Sequence, residues 1–185
     1  VDLADPNAQD DFVVSELHIP KGKKIHFKFR SQDVLHSAYM PYFRAQMNCV
    51  PGMVTEFSFT PIYTTDEYRE LPYMVKKVAN INKIRADKSV ELVANGGTAL
   101  DPYAFDFLLL CNKICGASHY NMQMKVVVDT PEDYKKWCAE QKPFLAMNPA
   151  YLEKVPANLK AKASKYIPAE PIATDSTGTE AVSVN

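Results

Sequence analysis

Neither sign of charge predominates in this chain: 21 Lys and Arg stand against 22 Asp and Glu, for a formal net charge of −1 in 185 residues. The basic surface that nucleic acid requires is therefore missing, and no nucleic-acid partner is expected. Long apolar runs are missing too. The longest unbroken one covers Phe107 to Cys111, far short of the roughly 18 residues that a membrane-spanning helix needs. An initiating methionine and a signal-peptide pattern are absent, so a processed, excised or partial chain is expected. Cysteine is sparse, with four residues, which is too few for a disulfide scaffold. The hydrophobic fraction of 46% is ordinary for a packed core. What carries information is where the few cysteines sit.

Alternation dominates most of the chain. A polar lead-in over residues 1–11 gives way to an apolar segment that ends in the Pro20–Gly22 turn. Ile25, Phe27 and Phe29 then alternate with polar residues, and so do Met53, Thr55, Phe57 and Phe59, the pattern of half-buried strands. Residues 31–36 read as a strand end or loop, with His36 ending the strand. Residues 63–102 behave differently: Met74, Val78, Ile81 and Ile84 fall at helical spacing, predicting a short amphipathic helix in an insertion. Alternation returns with Tyr103, Phe105, Phe107 and Leu109, and a last strand follows over Met122–Val128. Thr130, Pro131, Glu132 and Asp133 form a helix start, with a cap, a first-turn proline and acids at the dipole's positive end. The prolines and small polar residues over 143–185 predict a loosely structured, extended tail. These elements describe an all-β domain over residues 12–142, built as a sandwich or Greek-key barrel of six or seven strands with a C-terminal helix.

Cys111, Cys115, His119 and Met122 place two thiols, an imidazole and a thioether within twelve residues, between two strands. Thiolate and thioether are soft ligands and imidazole is borderline, so the set suits copper better than calcium, magnesium or manganese. A single copper in an electron-transfer site needs one Cys, two His and a weak axial Met. The additional Cys111 allows two bridging thiolates and two metal ions, provided a second histidine is supplied from elsewhere. His36 is the candidate. Other readings use the same atoms: a closed structural zinc site, a copper carrier, or a bare helical core stripe at i, i+4, i+8 and i+11. Alternation before Cys111, strand pattern after Met122 and Gly116 between them oppose the last of these.

Asp33, Val34, His36 and Ser37 form a D-V-x-H-S box, with Pro51 and Gly52 following; Cys111, Cys115, Gly116, His119 and Met122 fit C-x-x-x-C-G-x-x-H-x-x-M. Together these boxes resemble the copper domain of cytochrome c oxidase subunit II, in its bacterial branch, over about residues 12–142. The resemblance implies a cupredoxin-like fold and a binuclear copper centre, CuA. Cys111 and Cys115 would bridge both ions, His36 and His119 would each bind one, Met122 would bind weakly and Lys113 would offer its backbone carbonyl. The family usually has Glu where Lys113 stands, and that Glu helps hold a magnesium ion at the interface with subunit I. An ammonium offers no acceptor, so this magnesium ligand is expected to be absent.

The resemblance also implies a subunit of a haem-copper terminal oxidase on the periplasmic face of the bacterial inner membrane. Electrons would come from cytochrome c or a c-type haem protein, free or within a respiratory supercomplex, and pass to haem a in subunit I, where oxygen is reduced. Membrane association would run through N-terminal helices missing here or through the other oxidase subunits. A free-standing copper or zinc binding protein, or a copper carrier, is the alternative. His18 and His26 lack a partner motif and read as surface histidines. Cys49 and Cys138 lack ligand spacing and read as buried thiols, and Trp137 reads as a packing residue.

Overall fold

The computed structural model describes residues 1–167. These described residues divide into two compact units, one spanning Glu16–Tyr134 and the other joining Val1–Ser15 to residues 135–167.

The larger unit contains seven strands: β1 (Glu16–Pro20), β2 (Ile25–Phe29), β3 (His36–Met40), β4 (Ala45–Cys49), β5 (Thr55–Phe59), β6 (Phe107–Leu110) and β7 (Gln123–Asp129). Five of them form a sheet in the order β1-β7-β6-β3-β4, while β2 and β5 make a two-stranded sheet. The first strand lies parallel to the last, with Glu16 opposite Lys125, and the other pairs are antiparallel. Strands distant in sequence are thus neighbours, as the anticipated cupredoxin-like, Greek-key arrangement requires. The turn at Gly22 has a φ of 74°, a conformation that costs glycine nothing.

The hairpin of β3 and β4 escaped the sequence pattern because its residues do not alternate cleanly. Its turn, Pro41–Phe43, is a 3-10 turn that ends on Arg44 in the left-handed region. His36 also opens a strand instead of ending one.

The insertion is more helical than its apolar spacing predicts. After α1 (Thr65–Arg69), closed by a reciprocal cap between Thr64 and Glu67, α2 runs for 23 residues over Pro72–Ala94. Met74 buries completely in the core with Ile19, Phe105, Phe107, Val126 and Val128. Beyond Ile81 the helix continues on good helix formers with little apolar stripe to announce them.

The returning segment, expected to be strand from Tyr103, pairs in the sheet only from Phe107. Side chains of the insertion hold it instead. Ser89 Oγ accepts from Leu100 N at 2.9 Å and Arg85 Nε donates to Asp101 O at 2.6 Å. Asn82 pairs with both backbone groups of Tyr103 at 2.7 and 3.1 Å, and Arg69 Nε donates to Phe105 O at 2.9 Å. Backbone groups satisfied in this way need no neighbouring strand.

A further helix, α3, spans Pro131–Glu140 as its cap signals predict, with Thr130 Oγ1 accepting from Asp133 N at 3.2 Å. In the smaller unit, the part of the expected loose tail that lies within 143–167 is instead a series of short helices, including α4 (Phe144–Met147) and α5 (Lys160–Ala163). Leu145, Val155, Leu159 and Ala163 bury one another there, with Leu3 from the lead-in packed beside them. Apolar residues between the prolines made this cluster. The rest of the tail, 168–185, lies outside the described residues. Phe12 and Trp137 meet edge-on at 5.5 Å in this unit, which agrees with a packing role for Trp137.

Candidate metal centre

Two pieces of chain converge at one end of the five-stranded sheet. Strand β6 ends at Leu110 and delivers Cys111; β7 begins at Gln123, just after Met122. The loop between them is closed by Cys111 N donating to Met122 O at 3.0 Å. Within it, Gly116 has a φ of 139°, which a side chain would resist. The chain reverses there, so that His119 N bonds to Gly116 O at 3.1 Å and a 3-10 turn carries His119–Asn121. The start of β3 supplies His36 from the neighbouring strand.

The donor atoms form a connected row. His36 Nδ1 lies 3.9 Å from Cys111 Sγ, and the two thiol sulfurs are 3.7 Å apart. Cys115 Sγ is 3.4 Å from His119 Nδ1 and 3.2 Å from Met122 Sδ. The carbonyl oxygen of Lys113 sits 3.3 Å from Cys111 Sγ. Ligand atoms of His36, Cys111 and Cys115 all fall within 4.8 Å of one another. The six residues singled out from the sequence are thus brought to one place, with an imidazole at each end and a sulfur pair between them. Two thiols, two imidazoles, a thioether and a carbonyl make a soft donor set that fits copper.

Surrounding groups set the protonation of this row. Burial pushes the Cys111 thiol up, but hydrogen bonds from the backbone of Lys113 and Ser37, and from His36 and His119, outweigh it and bring its pKa down to about 6. Burial, together with the hydrogen bond and charge of Cys111, holds Cys115 above its ordinary value. The two thiols are thus inequivalent, Cys111 being the more acidic. The hydrogen bond that His36 donates to the Asp33 carboxylate raises the His36 pKa and lowers that of Asp33.

Two further residues, neither expected as a ligand, adjoin the site. Asp33 Oδ1 is 2.8 Å from His36 Nε2, leaving Nδ1 to face the sulfurs; its place in the D-V-x-H-S box was the available signal. Cys49 is the cross-strand partner of His36, and no spacing rule joins the two. All four cysteines are free thiols. His26 is exposed beside Ser58 and Glu56. His18, expected at the surface, is largely covered: its side chain is 15% exposed, with Asp129 at 2.6 Å and Glu16 at 3.1 Å. The parallel pairing of β1 with β7 creates that setting and could not be read from spacing.

These features define an all-β domain with a sulfur-rich metal-ligand cluster in the loops at one sheet end. By sequence the chain is a homologue of part of cytochrome c oxidase subunit 2. It is 36% identical over 146 residues to the alternative cytochrome c oxidase subunit 2 of Bradyrhizobium diazoefficiens, covering 78% of this chain and 38% of that protein. It is 27% identical over 130 residues to cytochrome c oxidase subunit 2 of Thermostichus vulcanus, covering 69% and 27% of the two. This chain therefore spans well under half the length of these relatives. Among solved structures, the periplasmic domain of cytochrome oxidase subunit II from Bradyrhizobium japonicum aligns with a TM-score of 0.44 and 18% identity, over 67% of this chain and 61% of that one. No family model matches. Among the described residues, no helix is long and apolar enough to cross a membrane.

Proposed function

We propose that the Glu16–Tyr134 unit is an electron-transfer module of a haem-copper terminal oxidase, holding a binuclear copper centre. The sulfur pair of Cys111 and Cys115, 3.7 Å apart with one imidazole on each side, is the observation that carries this reading. Homology to cytochrome c oxidase subunit 2 supports it. Cys111 and Cys115 would bridge, His36 and His119 would close the two ends, Met122 would bind weakly and Lys113 would contribute its carbonyl. A copper pair held by these residues would supply a one-electron carrier. The chain's part is to keep those donors still: Asp33 fixes His36, and two strand ends anchor the loop.

In this reading electrons arrive from cytochrome c or a c-type haem protein and leave for haem a of subunit I, where oxygen is reduced. The domain works on the periplasmic face of the bacterial inner membrane, held there by N-terminal helices or by partner subunits. The Lys113 ammonium offers no lone pair, so this position brings no side-chain ligand to an interface magnesium.

Copper quantification and electron paramagnetic resonance on the copper-loaded chain test the reading. The expected result is two coppers per chain, with one unpaired electron coupled to both nuclei. A signal coupled to one nucleus, or retention of zinc alone, would overturn it and favour a free-standing metal carrier.

A further inference from the structure

Strand β3 begins at His36 and β6 ends beside Cys111, so each has one end at the metal cluster. At their other ends lies a half-open cleft of about 250 Å³. Phe43, Phe59, Tyr63, Tyr68 and Phe107 line it, with Arg44 also on its wall. Its rings are fixed by one another: Phe43 stacks on Phe107 at 4.5 Å and meets Phe59 at 4.7 Å. An apolar cavity of roughly 150 Å³ accepts benzene, so this cleft has room for a single substituted ring.

Arg44 sets the cleft apart from an ordinary packing gap. Its backbone is left-handed, with φ 53° and ψ 34°, and it is the one non-glycine residue with positive φ among the described residues. Glycine would take that conformation freely, whereas a side chain is strained there. What arginine adds is a cation. Its side chain is exposed and makes no hydrogen bond or ion pair among the described residues. By contrast Lys77, on α2, is already engaged with the Tyr42 hydroxyl at 2.6 Å. With Arg44 among its lining residues, the cleft combines a cation that can donate to a planar anion with ring faces for an apolar body.

We propose that this cleft is a binding site for a small aromatic carboxylate, the ring seated among Phe43, Phe59 and Tyr68 and the carboxylate held by Arg44. The site stands apart from the metal cluster, and its existence does not depend on the electron-transfer reading.

Phenylacetate and its neutral analogue phenylacetamide are the probes, titrated into the isotopically labelled chain and followed by amide NMR. Phenylacetate should shift the signals of Phe43, Thr60, Ile62 and Tyr63 saturably, and bind roughly ten-fold more tightly than phenylacetamide, the gain of one charge-assisted hydrogen bond. Arg44→Gly relieves the backbone and should fold at least as well, yet bind the two probes equally. Arg44→Lys should keep part of the preference. The proposal is overturned if neither probe shifts these amides, if both bind the parent chain equally, or if Arg44→Gly leaves the preference intact.

Discussion

Asp33 Oδ1 holds His36 Nε2 at 2.8 Å, so that the other ring nitrogen faces Cys111 Sγ at 3.9 Å. A carboxylate behind a ligating imidazole fixes its orientation and raises its basicity, and removing such a partner typically costs about 10- to 100-fold in metal affinity. Asp33→Ala should therefore weaken copper binding by about that factor above neutral pH, measured by competition with a chelator. The pH dependence should move the other way. Asp33 raises the His36 pKa, so protons compete with copper as the pH falls through that raised value. In Asp33→Ala the onset of competition should shift to lower pH. An unchanged affinity and onset would show that the carboxylate does not orient the ring.

The two thiols of the centre differ in the metal-free chain, because hydrogen bonds bring Cys111 down to about 6 while burial and its neighbour hold Cys115 up. Thiolate is the reactive form. Iodoacetamide at pH 7 should label Cys111 first, with a rate that rises through about pH 6 and then levels off. Cys115 and Cys49, both pushed up by burial, should react later and only as the medium becomes alkaline. Mass spectrometry of digested, time-quenched samples reads the order, and equal rates at pH 7 would contradict it.

Cys49 lies opposite His36 across the β3–β4 pair, yet it is not among the residues whose ligand atoms cluster. Cys115→Ser should abolish the signal of an electron shared by two coppers, whereas Cys49→Ser should leave it intact. Equal loss in both variants would mean that the bridging thiols are misassigned.

Much of this site was legible because its chemistry is local in sequence. Cys111, Cys115, His119 and Met122 sit in one loop whose spacing alone names a soft ligand set. His36 could be named only as a candidate from elsewhere in the chain, since only the β3–β6 neighbourhood brings it across. Asp33 and Cys49 owe their positions to a strand start and a cross-strand register, which single-residue spacing does not encode. The fold was legible where strands alternate, as in β2 and β5. It was not where other forces decide: Tyr103 to Asp106 look like strand but are held by Asn82, Arg69 and their neighbours, and α2 outruns its apolar stripe.

Met74 ties the insertion to the sheet, being wholly buried between α2 and the Phe105–Phe107 segment. Truncation of a buried methionine to alanine costs about 2–5 kcal/mol, from lost transfer energy and the cavity left behind. Met74→Ala should lower the stability of the metal-free chain by that amount in urea denaturation. At low temperature it should leave the copper signal unchanged, because the metal loop hangs from β6 and β7 and not from α2. A lost signal in folded protein would show that the insertion positions the centre.

The sulfur pair should oxidise when no metal guards it. Cys111 is a thiolate at neutral pH and Cys115 lies 3.7 Å away. Oxidised glutathione supplies the oxidant: the Cys111 sulfur attacks one glutathione sulfur and expels the other as thiolate. Cys115 then attacks the Cys111 sulfur, forming the Cys111–Cys115 disulfide and releasing the second glutathione. Metal-free chain kept with oxidised glutathione should lose these two thiols, as counted with a colorimetric thiol reagent, and keep Cys49 and Cys138. It should take up no copper until reduced, because both proposed thiol ligands are then spent. Recovery of both thiols after prolonged oxidation, or a bridge to Cys49 in peptide mapping, would contradict this order of reactivity.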